Sequence, residues 1–208
     1  MSVIMAIAAA LILVVWGMIR ERRGAKSPAP VLIQRYIHPG HSWLRLTEDG
    51  DVLVGLDDFG QSLIGTVEEV RLPRLLRRVR QGRVAFHLRH GKRVVPIVSP
   101  VSGWVVQKNE SVMHNPTLVN TSPYGEGWLV RIHPRAVSAQ LPNLFTGRWA
   151  HRWQEIARAQ LAGMFSGTPA LMFQDGGTLM TDLADRCSDA EWESIEREIF
   201  LVTHSPEN

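Results

Sequence analysis

Lys92 offers a primary amine at the expected tip of a β-hairpin. The runs Val84-Ala85-Phe86-His87-Leu88 and Arg93-Val94-Val95-Pro96-Ile97 flank Arg89-His90-Gly91-Lys92, a spacing that reads as a β-hairpin with the lysine at its tip. Gly91 can adopt the left-handed backbone that a tight turn needs. A primary amine on a rigid, exposed tip is open to acylation.

Other residues of reactive type lack the company they would need. His38-Pro39-Gly40-His41 offers two histidines without a third ligand nearby, so no metal site is expected. Asp57-Asp58 precedes a helical segment, where aspartate serves as a cap rather than as one of two paired acid/base carboxylates. The glycines of Tyr124-Gly125-Glu126-Gly127 have no following lysine and hydroxyl residue, and read as a tight turn rather than a phosphate loop. Cys187 is the single cysteine, which excludes an intramolecular disulfide. With no supported Ser-His-Asp or Cys-His set, the expectation is a protein without catalytic residues, not an enzyme.

Charge is distributed unevenly. Arg71, Arg74, Arg77, Arg78, Arg80, Arg83, Arg89, Lys92 and Arg93 lie in a stretch free of Asp and Glu. The eight arginines are candidate contacts for an acidic protein partner or for lipid headgroups. They lack interleaved aromatics and any recognised binding motif, so nucleic acid is not expected as a partner.

The elements that must position these residues are short. Of 208 residues, 45% are hydrophobic and 21% charged, as in an ordinary globular protein. Brief runs of Val, Ile, Leu and Trp between Gly, Pro, Asn and Asp signals describe a small, mainly β sandwich. Trp43–Thr47 and Val52–Leu56 around Glu48-Asp49-Gly50-Asp51 form its expected first hairpin, Asp-Gly being a turn signal.

The two ends differ from this middle. Residues 3–19 are an uninterrupted apolar run followed by Arg20, Arg22, Arg23 and Lys26, so residues 1–23 read as a single-pass transmembrane helix with its basic flank and the rest of the chain in the cytoplasm. Residues 24–33 read as a linker. The last part, 136–208, is expected to carry two helices and a hairpin. Trp149, Trp153, Ile156, Leu161 and Met164 suggest one apolar face of a helix over about 147–165. A hairpin is expected around Asp175-Gly176-Gly177. Ser188 and Glu191 have capping-box spacing for a last helix with Trp192, Ile195 and Ile199 on one side.

Ordered blocks in the middle carry a family resemblance. These are His41-Ser42-Trp43, Val54 to Gln61, Leu63-Ile64-Gly65, Val70 to Pro73, and Ser99 to Ile132 with its Pro100-Val101-Ser102-Gly103 turn. Over about Arg35 to His133 the chain resembles the glycine cleavage system H protein. The resemblance implies a lipoyl-domain-like fold (barrel-sandwich hybrid) over 34–135 and a lipoate-bearing lysine eight residues before the proline, which is Lys92. It also implies a carrier function for a partner redox or one-carbon enzyme, here in a membrane redox or other lipoate-dependent system. The family pattern has Glu-Ser-Val before that lysine and Ala-Ala-Ser after it, where this chain has Arg89-His90-Gly91 and Arg93-Val94-Val95. A second reading therefore stands beside the first: a non-lipoylated adaptor or structural subunit of a membrane-associated complex.

Overall fold

The computed structural model describes residues 34–165 and 183–202, with the backbone of two short strands between them. Twelve strands appear among the described residues. The largest sheet has seven, in the order β10 (Phe145–Thr146), β1 (Arg35–Ile37), β2 (Ser42–Leu46), β3 (Val52–Leu56), β9 (Val130–Pro134), β8 (Gly103–Lys108) and β5 (Arg78–Val79). A second sheet has three: β4 (Glu69–Arg71), β6 (Val84–His90) and β7 (Arg93–Val98). The strands of both sheets pair antiparallel. The two sheets share one core. Phe86, Leu88, Val95 and Ile97 of the smaller sheet belong to the same buried cluster as Leu44, Val54, Val105 and Ile132 of the larger one.

Local chemistry explains most elements. Glycine at position 50 has φ +84° and lets β2 turn into β3, whose register pairs Leu44 with Val54. Asp57 caps α1 (Asp58–Ile64) by accepting from the Gly60 N–H at 2.7 Å. The same carboxylate meets the ring of His41 at 3.0 Å, so this acid is structural. Asn109 caps α2 (Glu110–His114) through the Ser111 N–H and donates to the carbonyls of Glu126 and Trp128. Asn120, in α3 (Leu118–Thr121), accepts from the Val67 N–H and donates to Gln61 and Gly65. Buried Trp43 donates to the carbonyls of Leu56 and Pro123. These motif residues satisfy buried backbone groups and thereby hold the loops on the sandwich.

Beyond β9 the chain adds α4 (Val137–Gln140), β10, α5 (Arg148–Met164), the paired strands β11 (Phe173–Gln174) and β12 (Thr178–Leu179), α6 (Leu183–Arg186) and α7 (Asp189–Glu198). Strand β10 returns to pair with β1, Ile37 opposite Phe145. The inward face of α5 differs from the expected one. Trp149 is 63% and Ile156 46% exposed, while Ala157, Leu161 and Phe165 are buried. The contacts that decide this lie outside the helix: Trp153 stacks on Phe145 of β10, and Gln154 reaches Asp57 and Asp58 nearly a hundred residues earlier. Helix α7 begins with the expected capping box of Ser188 and Glu191, and buries Trp192 and Ile195, with Ile199 just beyond it.

The expectation of a transmembrane helix, and with it a single-pass membrane location, is corrected. Among the described residues no helix is long and apolar enough to cross a membrane. The longest, α5, carries Arg148, Arg152, Glu155 and Arg158, charges that a hydrocarbon interior would not accept. The apolar run 3–19 and the linker 24–33 lie outside the described residues.

Candidate functional site

Lys92 sits where hairpin geometry puts it. The β6–β7 register pairs Leu88 with Val95, Arg89 with Val94 and His90 with Arg93, leaving Gly91 and Lys92 as a two-residue turn. Gly91 has φ +53° at the first central position, and Lys92 is not among the residues of positive φ, the pattern of a type II′ turn. Lys92 is exposed, while its strands are anchored by fully buried Leu88 and Val95. The residues therefore fit an acyl arm. The amine stands clear of the core on a turn with little freedom of its own, beside a groove of about 360 Å³ formed with α7.

The basic residues do not form one face, and their partners sort them into three groups. Arg71 and Arg89 are both held by Glu69, at 2.7 and 2.8 Å, and Arg89 also meets Glu68 at 2.7 Å. Together the two guanidiniums lower the Glu69 carboxyl to about 2. Arg93 turns inward: its side chain is only 10% exposed and meets Asp189 and backbone carbonyls of the C-terminal helices. Arg74, Arg77, Arg78, Arg80 and Arg83 are exposed, and among the described residues none forms an ion pair.

Four of those last arginines, with Arg71, border a concave surface. Arg71, Arg77, Arg78, Arg80 and Arg83 rim a groove of about 450 Å³ that no carboxylate lines, over Pro73, Val79 and Ala85. His87 lies on the same groove, and burial together with nearby Arg71 lowers its basicity. Leu75 and Leu76 stand out between the arginines, 53% and 74% exposed, with Leu76 at φ +62°. Trp104, opposite Arg78 in the β5–β8 pair, is 47% exposed. Sequence reading missed these three apolar residues, although a Leu-Leu pair inside an arginine-rich run is itself a signal of an exposed apolar patch. Lys92 lies at the tip of the β6–β7 hairpin, in the turn that follows His90, which is about 10 Å along β6 from His87 at ~3.3 Å per residue.

The family model for the glycine cleavage H-protein matches residues 34–155, more than half of the chain. The chain belongs to the glycine cleavage H-protein family. Glycine cleavage system H protein 2 of Aquifex aeolicus is 33% identical over 132 residues, covering 64% of this chain and 80% of that protein. The H protein of Coprothermobacter proteolyticus is 38% identical over 98 residues, 47% of this chain and 77% of its own length. A crystal structure of the Mycobacterium marinum H protein is similar at a TM-score of 0.51 and 26% identity, covering 59% of this chain and 98% of the other.

H proteins are carriers, not catalysts, and the expectation of a non-enzyme holds on that membership. Within the H-protein match lie the sandwich, the Lys92 hairpin and the arginine groove. The helices α6 and α7 lie beyond its last residue, 155.

Proposed function

We propose that this H-protein-like chain is a lipoyl carrier with its arm attached to Lys92 Nζ, serving a lipoate-dependent redox or one-carbon enzyme. The observation that supports this most is the exposed lysine on a two-residue turn whose strands are locked into the core, eight residues before Pro100. When bound, lipoate supplies a dithiolane that accepts two electrons and a carbon unit. What the chain contributes is presentation. The II′ turn fixes where the amine leaves the surface, the buried Leu88 and Val95 pair keeps the hairpin from sliding, and the tether holds the arm near a docked partner at high effective concentration. The intact mass of the native protein, with fragmentation to locate the adduct, tests the reading. A lipoyl-sized increment on Lys92 supports it, and an unmodified Lys92 from lipoylation-competent cells refutes it.

A second reading, a non-lipoylated adaptor, draws on the arginine groove. Unpaired guanidiniums around Leu75, Leu76 and Trp104 have the composition of a protein contact site, where Arg and Trp act as anchors. An acidic partner protein is the occupant this charge favours.

A further inference from the structure

We propose that the C-terminal helices α6 and α7 clamp the Lys92 turn, and that Arg93 is a positioning residue for modification of Lys92. The inference rests on the reading that Lys92 bears the acyl arm, and adds a component from outside the H-protein match.

The clamp grips both residues that close the turn. On one side His90 spans two elements: its Nδ1 lies 2.7 Å from the Thr66 carbonyl and its Nε2 2.9 Å from the Asp185 carboxylate of α6. On the other side Arg93 reaches the seam between the two helices. Its Nε donates to the Ala184 carbonyl, and one Nη donates to the Cys187 carbonyl at 2.6 Å. The other Nη meets the Asp189 carboxylate at 3.2 Å, and the guanidinium lies 5.3 Å from the centre of the Trp192 ring. A guanidinium is suited to this seam because its fixed fork can serve carbonyls that end one helix and a carboxylate that begins the next.

These contacts are anchored in the core rather than made by a dangling segment. Leu183, Ala184, Trp192, Ile195 and Phe200 are all buried in the cluster that includes Leu88 and Val95. Asp185 also stands over the turn itself, 3.5 Å from where a Cβ on Gly91 would lie. The result differs from a bare hairpin tip. Gly91 and Lys92 are suspended between two residues each tied to the same helix pair, so the direction of the lysine is set by residues about 95 positions later. The clamp also supplies carboxylates beside Lys92, on a hairpin where Arg89 stands in place of the family's glutamate.

The test uses the full-length chain and three variants, Arg93→Gln, Arg93→Lys and Asp189→Asn. Amide hydrogen exchange is followed at residues 90–94, and attachment of lipoate to Lys92 by a purified lipoate–protein ligase is followed by intact mass. The side chain of Asp189 is 80% exposed, so its neutralisation leaves the core untouched and keeps the test valid if Arg93→Gln folds poorly. The expected result is faster tip exchange in Arg93→Gln, with attachment slowed about tenfold by loss of orientation. Arg93→Lys and Asp189→Asn should fall between this variant and the wild type. Unchanged exchange overturns the clamp, and faster exchange with unchanged attachment overturns the positioning role. If the wild type accepts no lipoate, the carrier reading fails instead, and the exchange comparison alone decides whether the clamp exists.

Discussion

His38 supplies a quantitative test of how tightly the sandwich is closed near its first turn. The residue is 7% exposed, and its Nδ1 accepts from the Gly40 N–H at 3.0 Å, which requires that nitrogen to be unprotonated. Burial, with a smaller contribution from neighbouring His41, lowers its pKa from the ordinary 6.5 to about 4. Between those values the unfolded chain binds a proton that the folded one does not, so folding stability falls as the pH drops through that window. At 1.36 kcal/mol per pH unit the loss from pH 7 to pH 4 approaches about 3 kcal/mol from this one ring. The perturbation is His38→Gln, whose amide oxygen can still accept from Gly40 and does not titrate. Urea unfolding followed by tryptophan fluorescence suits the assay, since Trp43 and Trp192 are buried. The wild type should lose about 3 kcal/mol more than the variant between pH 7 and pH 4. Parallel curves, or an NMR titration of His38 centred near pH 6.5, would refute the argument.

Three further outcomes follow from the same structure. Replacing Lys92 with Arg should remove any acyl adduct while leaving the circular dichroism spectrum unchanged, because the side chain is exposed and only the turn backbone is structural. Gly103→Ala should destabilise the chain by about 2 kcal/mol in urea unfolding, since its Cβ would collide with the His133 carbonyl and lie 2.6 Å from Ile132 Cγ2 across the β8–β9 pair. Reversing charge at Arg77 and Arg78 should leave the unfolding curve within about 0.5 kcal/mol of wild type, since both are exposed and without ion pairs among the described residues, and should weaken the salt dependence of acidic-partner binding measured by calorimetry.

How much of this was legible in the residues depends on the range of the interaction concerned. The Gly50 and Gly91 turns, the Asp57 cap and the Ser188–Glu191 capping box are set by neighbours within a few positions, and each stands where the pattern put it. The blocks around Trp43, Asn109 and Asn120 marked the family, although their work as hydrogen-bonding braces could be seen only with the loops in place. The expected face of α5 held at Leu161 but not at Trp149 and Ile156, which are exposed. Packing of Trp153 on Phe145 and of Gln154 on the Asp57 turn rotates the buried side toward Ala157.

The sequence alone determined the sandwich, its turns and the placing of Lys92 at a hairpin tip, because period-two burial and glycine-dependent turns are local properties of the backbone. Only the tertiary structure decided which positive charges remain available. Along the chain Arg77, Arg89 and Arg93 look alike, yet one rims an open groove, one is neutralised by Glu68 and Glu69, and one is spent on helices more than ninety residues away. A charge is defined by what lies within a few ångströms of it, and that neighbourhood exists only once distant segments have packed together.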